Sequence, residues 1–434
     1  MSQEIKIGLA GLGNVGAGVY KNLQRNGDLL AERTGARFVV RKIAVHDTGK
    51  DRGFCVPAGL LTTDWNDLVN DPEIDVIVEL IGGVEEASRL VRAALTAKKM
   101  VITGNKALLA EEGRELVALA EKEDVPLYFE AAVAGGIPII KVVREALVGN
   151  HIQSIYGIIN GTSNYILTRM ADAELDYAVA LKEAQDLGYA EADPALDVNG
   201  GDAAHKAIIL AWLSYGLWVK PEEVFVDGVE NVCRADIEYA RSLGYAIKLL
   251  GVIRLDESNR VEVRVQPSLV PSDHILASVN GVFNAVAVRG DVVGETLYYG
   301  SGAGQDATSS AVISDLADAA ANLDNEAGCQ GFAPHGFYGE AMPIDETVSA
   351  YYVRLQVRDV HGVIAEITRV IADHAIGISS VDQPKAHGSS ELVDLMLVTH
   401  PAAFGAMRAA LASIEALSCV GAPPVMMRVE NLGA

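Results

Sequence analysis

The chain has 434 residues, of which 50% are hydrophobic and 21% are charged, and its formal net charge at pH 7 is −23. This length predicts about three domains, and the composition is that of a globular protein. The negative charge argues against nucleic acid or an anionic membrane as a partner. The longest apolar stretch, 207–219, is too short and too interrupted to span a bilayer.

The cysteines, at positions 55, 233, 329 and 419, are scattered without any C-x-x-C spacing. This pattern indicates neither a disulfide framework nor a zinc site. The sequence also opens on a strand-like run rather than on a signal peptide. We therefore expect a cytoplasmic protein that handles small molecules.

Residues 4–18 read EIKIGLAGLGNVGAG, an apolar run that leads into three glycines and then a helix. A glycine triplet alone is weak evidence, but this one lies between a strand and a helix, and a second strand follows at 38–45. Gly11 permits the tight turn, Gly13 lets a pyrophosphate approach the backbone, and Gly16 lets the helix pack against the strand. The motif predicts dinucleotide binding at the helix start, where Asn14 and Val15 stand.

Strand and helix signals alternate as far as Glu130, which predicts a Rossmann-type, doubly wound parallel sheet over residues 1–134. The predicted strands lie near Lys6, Val39, Val76, Val101 and Leu127. Ligands bind at the carboxyl ends of such strands. Gly82 follows the third strand and Thr103 and Lys106 follow the fourth, so all three are candidate cofactor contacts. The alternative for Lys106 is that it only begins a helix.

Beyond Glu130 the alternation stops, and helices predicted at 164–170, 176–187, 202–218 and 237–246 precede strands with period-two patterning. Residues 135–320 are therefore expected to form an α+β substrate and dimerisation domain with a largely antiparallel sheet. Such a sheet suggests a homo-oligomer, either a dimer or a tetramer. Gly302 precedes a long helix at 307–322, which we expect to pack back on the cofactor domain.

Residues 188–206, GYAEADPALDVNGGDAAHK, end in an acid and a lysine at the start of a helix. Asp202 and Lys206 are four residues apart and so share one helical face, and Glu191 and Asp197 lie in the preceding loop. Several carboxylates near one lysine suit a substrate that carries an amine. The commoner alternative is a solvated surface ion pair preceded by capping residues.

Residues 321–348 are rich in glycine, proline and charged residues and predict a linker. The following region, 349–434, shows the order strand, helix, strand, strand, helix, strand. This is the order of the ferredoxin-like fold. The alternative to a regulatory domain here is a structural or dimerising lobe.

Four motifs, GLAGLGNVG, TGNKALLA, GYAEADPALDVNGGDAAHK and INGTSNYIL, resemble those of monofunctional homoserine dehydrogenases, and the resemblance covers essentially the whole chain. The third motif is the most specific, because it keeps the family's spacing of Glu, Asp and Lys. The resemblance implies NAD- or NADP-dependent interconversion of L-homoserine and L-aspartate 4-semialdehyde in threonine and methionine biosynthesis. It also implies a carboxy-terminal ACT domain and L-threonine as a possible effector.

The resemblance further implies roles for individual residues. Lys206 would donate and accept the proton at the substrate oxygen, and Lys106 would lie between nicotinamide and substrate. The implied substrate-binding residues are Glu191, Asp197 and Asp202. The implied cofactor contacts are Gly11, Gly13, Asn14, Val15, Gly16, Gly82, Thr103, Lys106, Gly188 and Gly302. A monovalent cation, Na⁺ or K⁺, is implied at Glu130, Val133, Gly135 and Ile137.

The sequence leaves the nicotinamide preference open. The second strand ends in AVHDTGKDRG, so His46 stands where many family members have an arginine for the 2′-phosphate of NADP. Asp47 favours NAD, whereas Lys50 and Arg52 could hold a phosphate.

Two other functions also stay open. Another amino-acid dehydrogenase on the same scaffold would explain the glycine turn but not the spacing of Glu191, Asp202 and Lys206. The second is a non-catalytic amino-acid sensor, in which only the last domain binds a ligand.

Overall fold

The computed structural model describes residues 3–322, 339–384 and 391–432. They belong to two compact units, each built from several chain segments. The first unit comprises Met1–Gln153, His205–Glu223 and Asn284–Gly339, and the second comprises Ser154–Ala204, Val224–Phe283 and Glu340–Ala434. No helix in these described ranges is long and apolar enough to cross a membrane.

The strands are β1 (Gln3–Ala10), β2 (Ala36–Ala44), β3 (Leu61–Thr62), β4 (Val76–Glu79), β5 (Met100–Thr103), β6 (Leu127–Tyr128), β7 (Ile152–Ile158), β8 (Phe225–Val226), β9 (Tyr245–Leu255), β10 (Arg260–Pro271), β11 (Phe283–Gly290), β12 (Gly294–Ser301), β13 (Glu340–Ala341), β14 (Val348–Arg358), β15 (Ile378–Asp382), β16 (Leu392–Thr399), β17 (Ala402–Ala403) and β18 (Val425–Val429). The helices are α1 (Asn14–Thr34), α2 (Asn66–Val69), α3 (Glu85–Thr96), α4 (Lys106–Glu123), α5 (Ile139–Lys141), α6 (Gly161–Asp172), α7 (Tyr177–Asp186), α8 (Ala195–Val198), α9 (Gly201–Tyr215), α10 (Arg234–Ser242), α11 (Gln305–Asn322), α12 (Val363–Asp373) and α13 (Phe404–Glu415).

The first unit contains a parallel sheet with the strand order β3-β2-β1-β4-β5-β6. This is the Rossmann order, in which the direction of winding reverses between β1 and β4. Ile5, Ile7 and Leu9 of β1 are all fully buried, because helices cover both faces of such a sheet. The predicted parallel sheet is confirmed. The sequence reading missed only β3, which is two residues long.

Helix α11, and α9 from His205 onward, also belong to the first unit. Helix α11 begins at Gln305 and packs on α1, where Gly18 lacks a side chain; a Cβ there would lie 2.4 Å from the Gln305 carbonyl oxygen. Trp212 of α9 stacks on Phe129 with a ring-centroid distance of 6.1 Å, and Trp218 packs edge-on against it. These contacts bury α9 among apolar side chains.

The second unit contains the strands β7-β9-β10-β18-β14-β16-β15 in one sheet. Strands β7, β9 and β10 pair antiparallel, but β10 pairs parallel with β18. The sheet is therefore largely antiparallel, as predicted, and it is mixed only through short parallel pairings of β10 with β18, β8 and β13. The helix predicted over 237–246 ends earlier, at Ser242, because Gly244 adopts a left-handed φ of 82°. Such a glycine is a common helix terminator, and β9 starts directly after it.

The described part of the carboxy-terminal region follows the order β14, α12, β15, β16, α13, β18 along the chain. Its strands lie in the order β18-β14-β16-β15, and all neighbours are antiparallel. Tyr351, Val353 and Leu355 of β14 pack against the apolar faces of α12 and α13. Residues 323–338 of the predicted linker, including Cys329, lie outside the described residues. The last part of the linker contains β13, which pairs with β10.

Candidate active site

The glycine turn after β1 has the geometry that a dinucleotide requires. Gly11 has a φ of 97°, and a Cβ there would lie 2.4 Å from the Leu80 carbonyl oxygen. A Cβ at Gly16 would lie 2.1 Å from the Gly11 carbonyl oxygen, whereas one at Gly13 would meet no heavy atom within 4 Å. Gly11 and Gly16 thus allow close packing, and Gly13 leaves open space at the start of α1, where Asn14 is exposed.

The ends of β4 and β5 are tied together through a buried glutamate. Glu79, the last residue of β4, accepts hydrogen bonds from the Thr103 hydroxyl and, at 2.9 Å, from the Ile81 N–H. Burial raises the pKa of the Glu79 carboxyl above its ordinary value. Gly82 follows with a left-handed φ of 74°. The sequence reading missed Glu79, although an acid that ends the apolar run VIVE was a usable signal.

Asn105 fixes the loop that precedes Lys106. Its amide donates to the Gly83 carbonyl at 2.6 Å, and its side-chain oxygen accepts the Leu108 N–H at 3.1 Å, which caps α4. Lys106 is the first residue of α4 and is half-buried. Lys106 therefore begins a helix, as the alternative interpretation of this residue held. It also follows the carboxyl end of β5, where the cofactor is expected.

The loop after β2 is closed by an arginine. The guanidinium of Arg52 donates to the carbonyl oxygens of Asp47 at 2.6 Å and Lys50 at 2.8 Å. The Asp47 carboxylate accepts the Gly49 N–H at 2.8 Å. Arg52 and Asp47 thus both serve the loop's own fold, and the Lys50 and His46 side chains are exposed.

The residues expected to hold a cation lie in one turn after β6. Glu130 is buried, and its carboxylate accepts the N–H groups of Ile140 at 3.1 Å and Lys141 at 2.9 Å. Burial nevertheless raises the pKa of Glu130 to about 7. Between Val133 and Ile137 the chain turns through left-handed residues, including Gly135 with a φ of 31°.

A second acid, missed in the sequence, adjoins this turn. Asp315 of α11 is fully buried and accepts the Glu130 N–H at 2.9 Å. Burial and then the Glu130 charge raise its pKa well above the ordinary value. Gly302 also belongs here, because a Cβ at Gly135 would lie 2.8 Å from the Gly302 carbonyl oxygen.

Helix α9 carries Asp202 in its first turn and Lys206 four residues later. Asp202 is only 5% exposed and Lys206 only 8% exposed. The alternative of a solvated surface ion pair is therefore wrong. The physical reason is that α9 is apolar on almost every face, and such a helix is buried as a whole, together with its few polar residues.

Asn160 joins two of the predicted carboxylates. Its Nδ2 lies 2.9 Å from Asp197 Oδ1 and 2.9 Å from Asp202 Oδ2. The hydroxyl of Ser163 donates to the Asp197 carbonyl at 2.7 Å. Asp197 and Asp202 are thus brought together by the INGTS turn. The sequence reading quoted this motif but assigned no role to Asn160.

Glu191 and Gly188 lie in the loop between α7 and α8. Gly188 has a φ of 74° and ends α7, and its N–H donates to the Gln185 carbonyl at 3.0 Å. Glu191 is exposed, and its backbone carbonyl accepts the Gln185 side-chain amide at 3.2 Å. The structure thus groups Asp197 with Asp202 and leaves Glu191 on an exposed loop.

Comparison with known proteins gives a consistent result over nearly the whole chain. Residues 11–130 match a family model described as the NAD binding domain of homoserine dehydrogenase, and residues 138–317 match a model described as homoserine dehydrogenase. Homoserine dehydrogenase of Pseudomonas aeruginosa is 44% identical, with 99% of each chain covered. The enzyme of Bacillus subtilis is 39% identical, again with 99% of each chain covered.

Solved structures agree with the sequence relatives. The crystal structure of a homoserine dehydrogenase from Thiobacillus denitrificans superposes with a TM-score of 0.91 at 44% identity, covering 99% of both chains. A hyperthermophilic archaeal homoserine dehydrogenase in complex with NADPH superposes with a TM-score of 0.61 at 28% identity, covering 74% of this chain and 99% of that one.

Proposed function

The chain belongs to the homoserine dehydrogenase family and is an NAD(P)-dependent oxidoreductase that interconverts L-homoserine and L-aspartate 4-semialdehyde, and we propose that Lys206 moves the proton in this reaction. The observation that carries the proposal is the burial of Lys206 one helical turn after the buried Asp202. Lysine is almost never fully buried unless its charge is paired, and Asp202 lies on the same helical face.

Oxidation of the alcohol removes a hydride from carbon and a proton from the hydroxyl oxygen. The nicotinamide, when bound, accepts the hydride. A base must lie within hydrogen-bond reach of the hydroxyl to take the proton, and this is the role of Lys206. In the reverse direction the protonated lysine polarises the aldehyde oxygen and returns the proton. Lys106, at the start of α4, is proposed to lie between nicotinamide and substrate.

The substrate's ammonium group calls for carboxylates. We assign Asp202 and Asp197, which share the Asn160 amide, to the substrate pocket, with Glu191 as a third acid. The glycine turn at Gly13, with Gly82, Thr103, Gly188 and Gly302, is assigned to the cofactor. Assays of homoserine oxidation with NAD and with NADP test the dehydrogenase function and decide the nicotinamide preference. Inactivity with both cofactors would contradict that function and favour the non-catalytic amino-acid sensor.

We also propose that a monovalent cation binds at Glu130, Val133, Gly135 and Ile137. The residues fit such an ion, because a buried carboxylate whose pKa is raised to about 7 gains stability from a nearby positive charge. Backbone carbonyls of the turn would supply the other oxygens. The ion would order this turn and neutralise Glu130.

This cation should be visible in thermal unfolding. Because burial raises the pKa of Glu130 from its usual 4.5 to about 7, the folded state holds a proton that the unfolded state has lost between these values. Stability should therefore fall as the pH rises through this window. A cation favours the ionised form, so Na⁺ or K⁺ should raise Tm by a few degrees more at about pH 8 than at about pH 5, relative to tetramethylammonium.

Glu130→Gln should abolish this pH-dependent gain, and the exposed Glu145→Gln is the matched control. Burial also raises the pKa of Asp315. The stability of Glu130→Gln should therefore still fall as the pH rises, but Na⁺ or K⁺ should not change that fall. Equal stabilisation by Na⁺ at both pH values, or an unchanged gain in Glu130→Gln, would contradict the proposed site.

We propose that residues 349–434 form an ACT-type regulatory domain that binds an amino acid, with L-threonine as the expected effector. A pocket of about 390 Å³ lies between the end of β14 and the start of α12, and Arg358, Gly362, Ala365 and Gln383 are among its lining residues. Gly362 has a φ of 93° and precedes the first turn of α12, whose free N–H groups suit a carboxylate.

L-threonine should therefore inhibit the enzyme and give binding heat in calorimetry. A tenfold inhibition requires about 1.4 kcal/mol of preference for a less active state. Ala365→Asp places a negative charge beside the expected carboxylate and should remove both responses. Ala409→Asp, which adds the same charge on the exposed face of α13, should keep them. Inhibition that survives in Ala365→Asp would place the effector elsewhere.

We propose a cytoplasmic homo-oligomer, a dimer or tetramer, that serves threonine and methionine biosynthesis. Edge strand β12 supports self-association, since Tyr299 of β12 and Val292, in the turn before it, are exposed, and an open strand edge is a ready site for pairing.

A further inference from the structure

The side-chain amide of Asn160, in the second unit, makes three hydrogen bonds. Asn160 is only 4% exposed. Its Oδ1 accepts the Ser163 N–H at 2.7 Å and so caps α6. Its Nδ2 donates to Asp197 and to Asp202, each at 2.9 Å. An amide nitrogen has two protons, and here each is given to a different carboxylate.

This arrangement fixes the orientation of the amide. If the amide were flipped, its NH₂ group would face the Ser163 N–H, and its oxygen would face two carboxylates that cannot donate when ionised. The backbone of α6 thus determines where the two donors point. Those donors hold two negative groups near each other that would otherwise repel.

We propose that Asn160 is a positioning residue that holds the Asp202 carboxylate in place for the substrate. The inference rests on the proposed role of Asp202 in the substrate pocket. Asn160 acts through Asp202 and takes no part in proton transfer. Its loss should therefore weaken homoserine binding and turnover and leave nicotinamide affinity unchanged.

Asn160→Asp separates positioning from capping. Aspartate has nearly the same shape and is as good a helix N-cap as asparagine, so the start of α6 should persist. It has no donor when ionised and adds a third negative charge. We expect kcat/KM for homoserine to fall by about 10- to 100-fold, chiefly through KM, with an unchanged dissociation constant for the nicotinamide. The deficit should shrink from about pH 8 to about pH 6, because a protonated carboxyl donates one bond again.

Asn199→Asp is the matched control. Asn199 is exposed in the same region, and its Oδ1 accepts the Gly201 N–H, which an aspartate can also do; its kinetics should match the wild type. Asn160→Ser also keeps a capping oxygen but adds no charge. It should raise KM by a smaller factor and show no recovery at low pH, which keeps the test valid if Asn160→Asp does not fold.

The outcomes are distinguishable. Wild-type kcat/KM in both Asn160 variants, a loss that follows thermal stability in both, or a loss in Asn160→Asp that is the same at every pH would overturn the inference and leave Asn160 as a structural cap. Asp202→Ala, measured in parallel, tests the premise. If Asp202→Ala leaves the KM for homoserine unchanged, Asp202 does not bind the substrate, and the proposed positioning role of Asn160 is wrong as well. If Asp202→Ala impairs homoserine binding but the Asn160 variants do not, only the positioning role of Asn160 is excluded.

Discussion

Lys206→Ala is expected to lower kcat for homoserine oxidation by about two to four orders of magnitude, the usual contribution of a general acid–base group. Nicotinamide affinity should be nearly intact, because the glycine turn of the Rossmann sheet does not depend on this side chain. Steady-state kinetics with homoserine, combined with calorimetric titration of the nicotinamide, separates the two quantities. Lys206→Arg should be nearly as impaired, since a guanidinium does not release its proton in proteins.

The chain provides a matched control for Lys206. Lys182 and Asp186 form the same four-residue spacing on α7, but their side chains are 66% and 63% exposed. Lys182→Ala should leave kcat unchanged, because exposed ion pairs contribute little. A Lys206→Ala enzyme that keeps more than about a tenth of wild-type kcat, with an unaltered pH profile, would exclude Lys206 as the proton-transfer group.

The glycine turn and the acid–lysine pair were predictable because local rules govern both. Close backbone contacts within six residues of chain require Gly11 and Gly16, and Gly13 leaves open space between them. The four-residue spacing of Asp202 and Lys206 needs only the helical repeat. What the spacing did not decide was burial. That depends on the apolar character of α9 and on what packs around it.

The residues that the sequence reading missed act through contacts between distant segments. Asn160 is 37 residues from Asp197 and 42 from Asp202, and Asp315 is 185 residues from the backbone it binds at Glu130. Composition and periodicity carry no information on such pairs. For the same reason the sequence did not predict that β18, at the end of the chain, pairs with β10 of the middle region.

A buried charge network accompanies that pairing. Arg264 of β10 is fully buried and contacts Glu262 at 2.7 Å and Glu430, just beyond β18, at 2.8 Å. Arg428 of β18 reaches Glu262 at 3.1 Å and the Thr347 hydroxyl at 2.7 Å. Burial disfavours the charge on Arg264, but Glu430 and Glu262 outweigh burial and raise its pKa. The carboxy-terminal region is therefore joined to β10 of the second unit by paired charges away from water.

Arg264→Met should lower the free energy of unfolding by about 3–5 kcal/mol, because it leaves the Glu430 carboxylate buried beside Glu262 without the cation that joins them. Arg408→Met is the control, since Arg408 forms a pair with Asp345 while its side chain is 62% exposed, and its loss should cost less than about 1 kcal/mol. Adding Glu430→Leu to Arg264→Met should recover part of the stability, because apolar side chains often replace a whole buried pair without loss. Denaturant unfolding of the three variants measures these differences. If Arg264→Met unfolds like Arg408→Met, the network contributes no stability, and backbone pairing of β10 with β18 alone would hold the carboxy-terminal region in place.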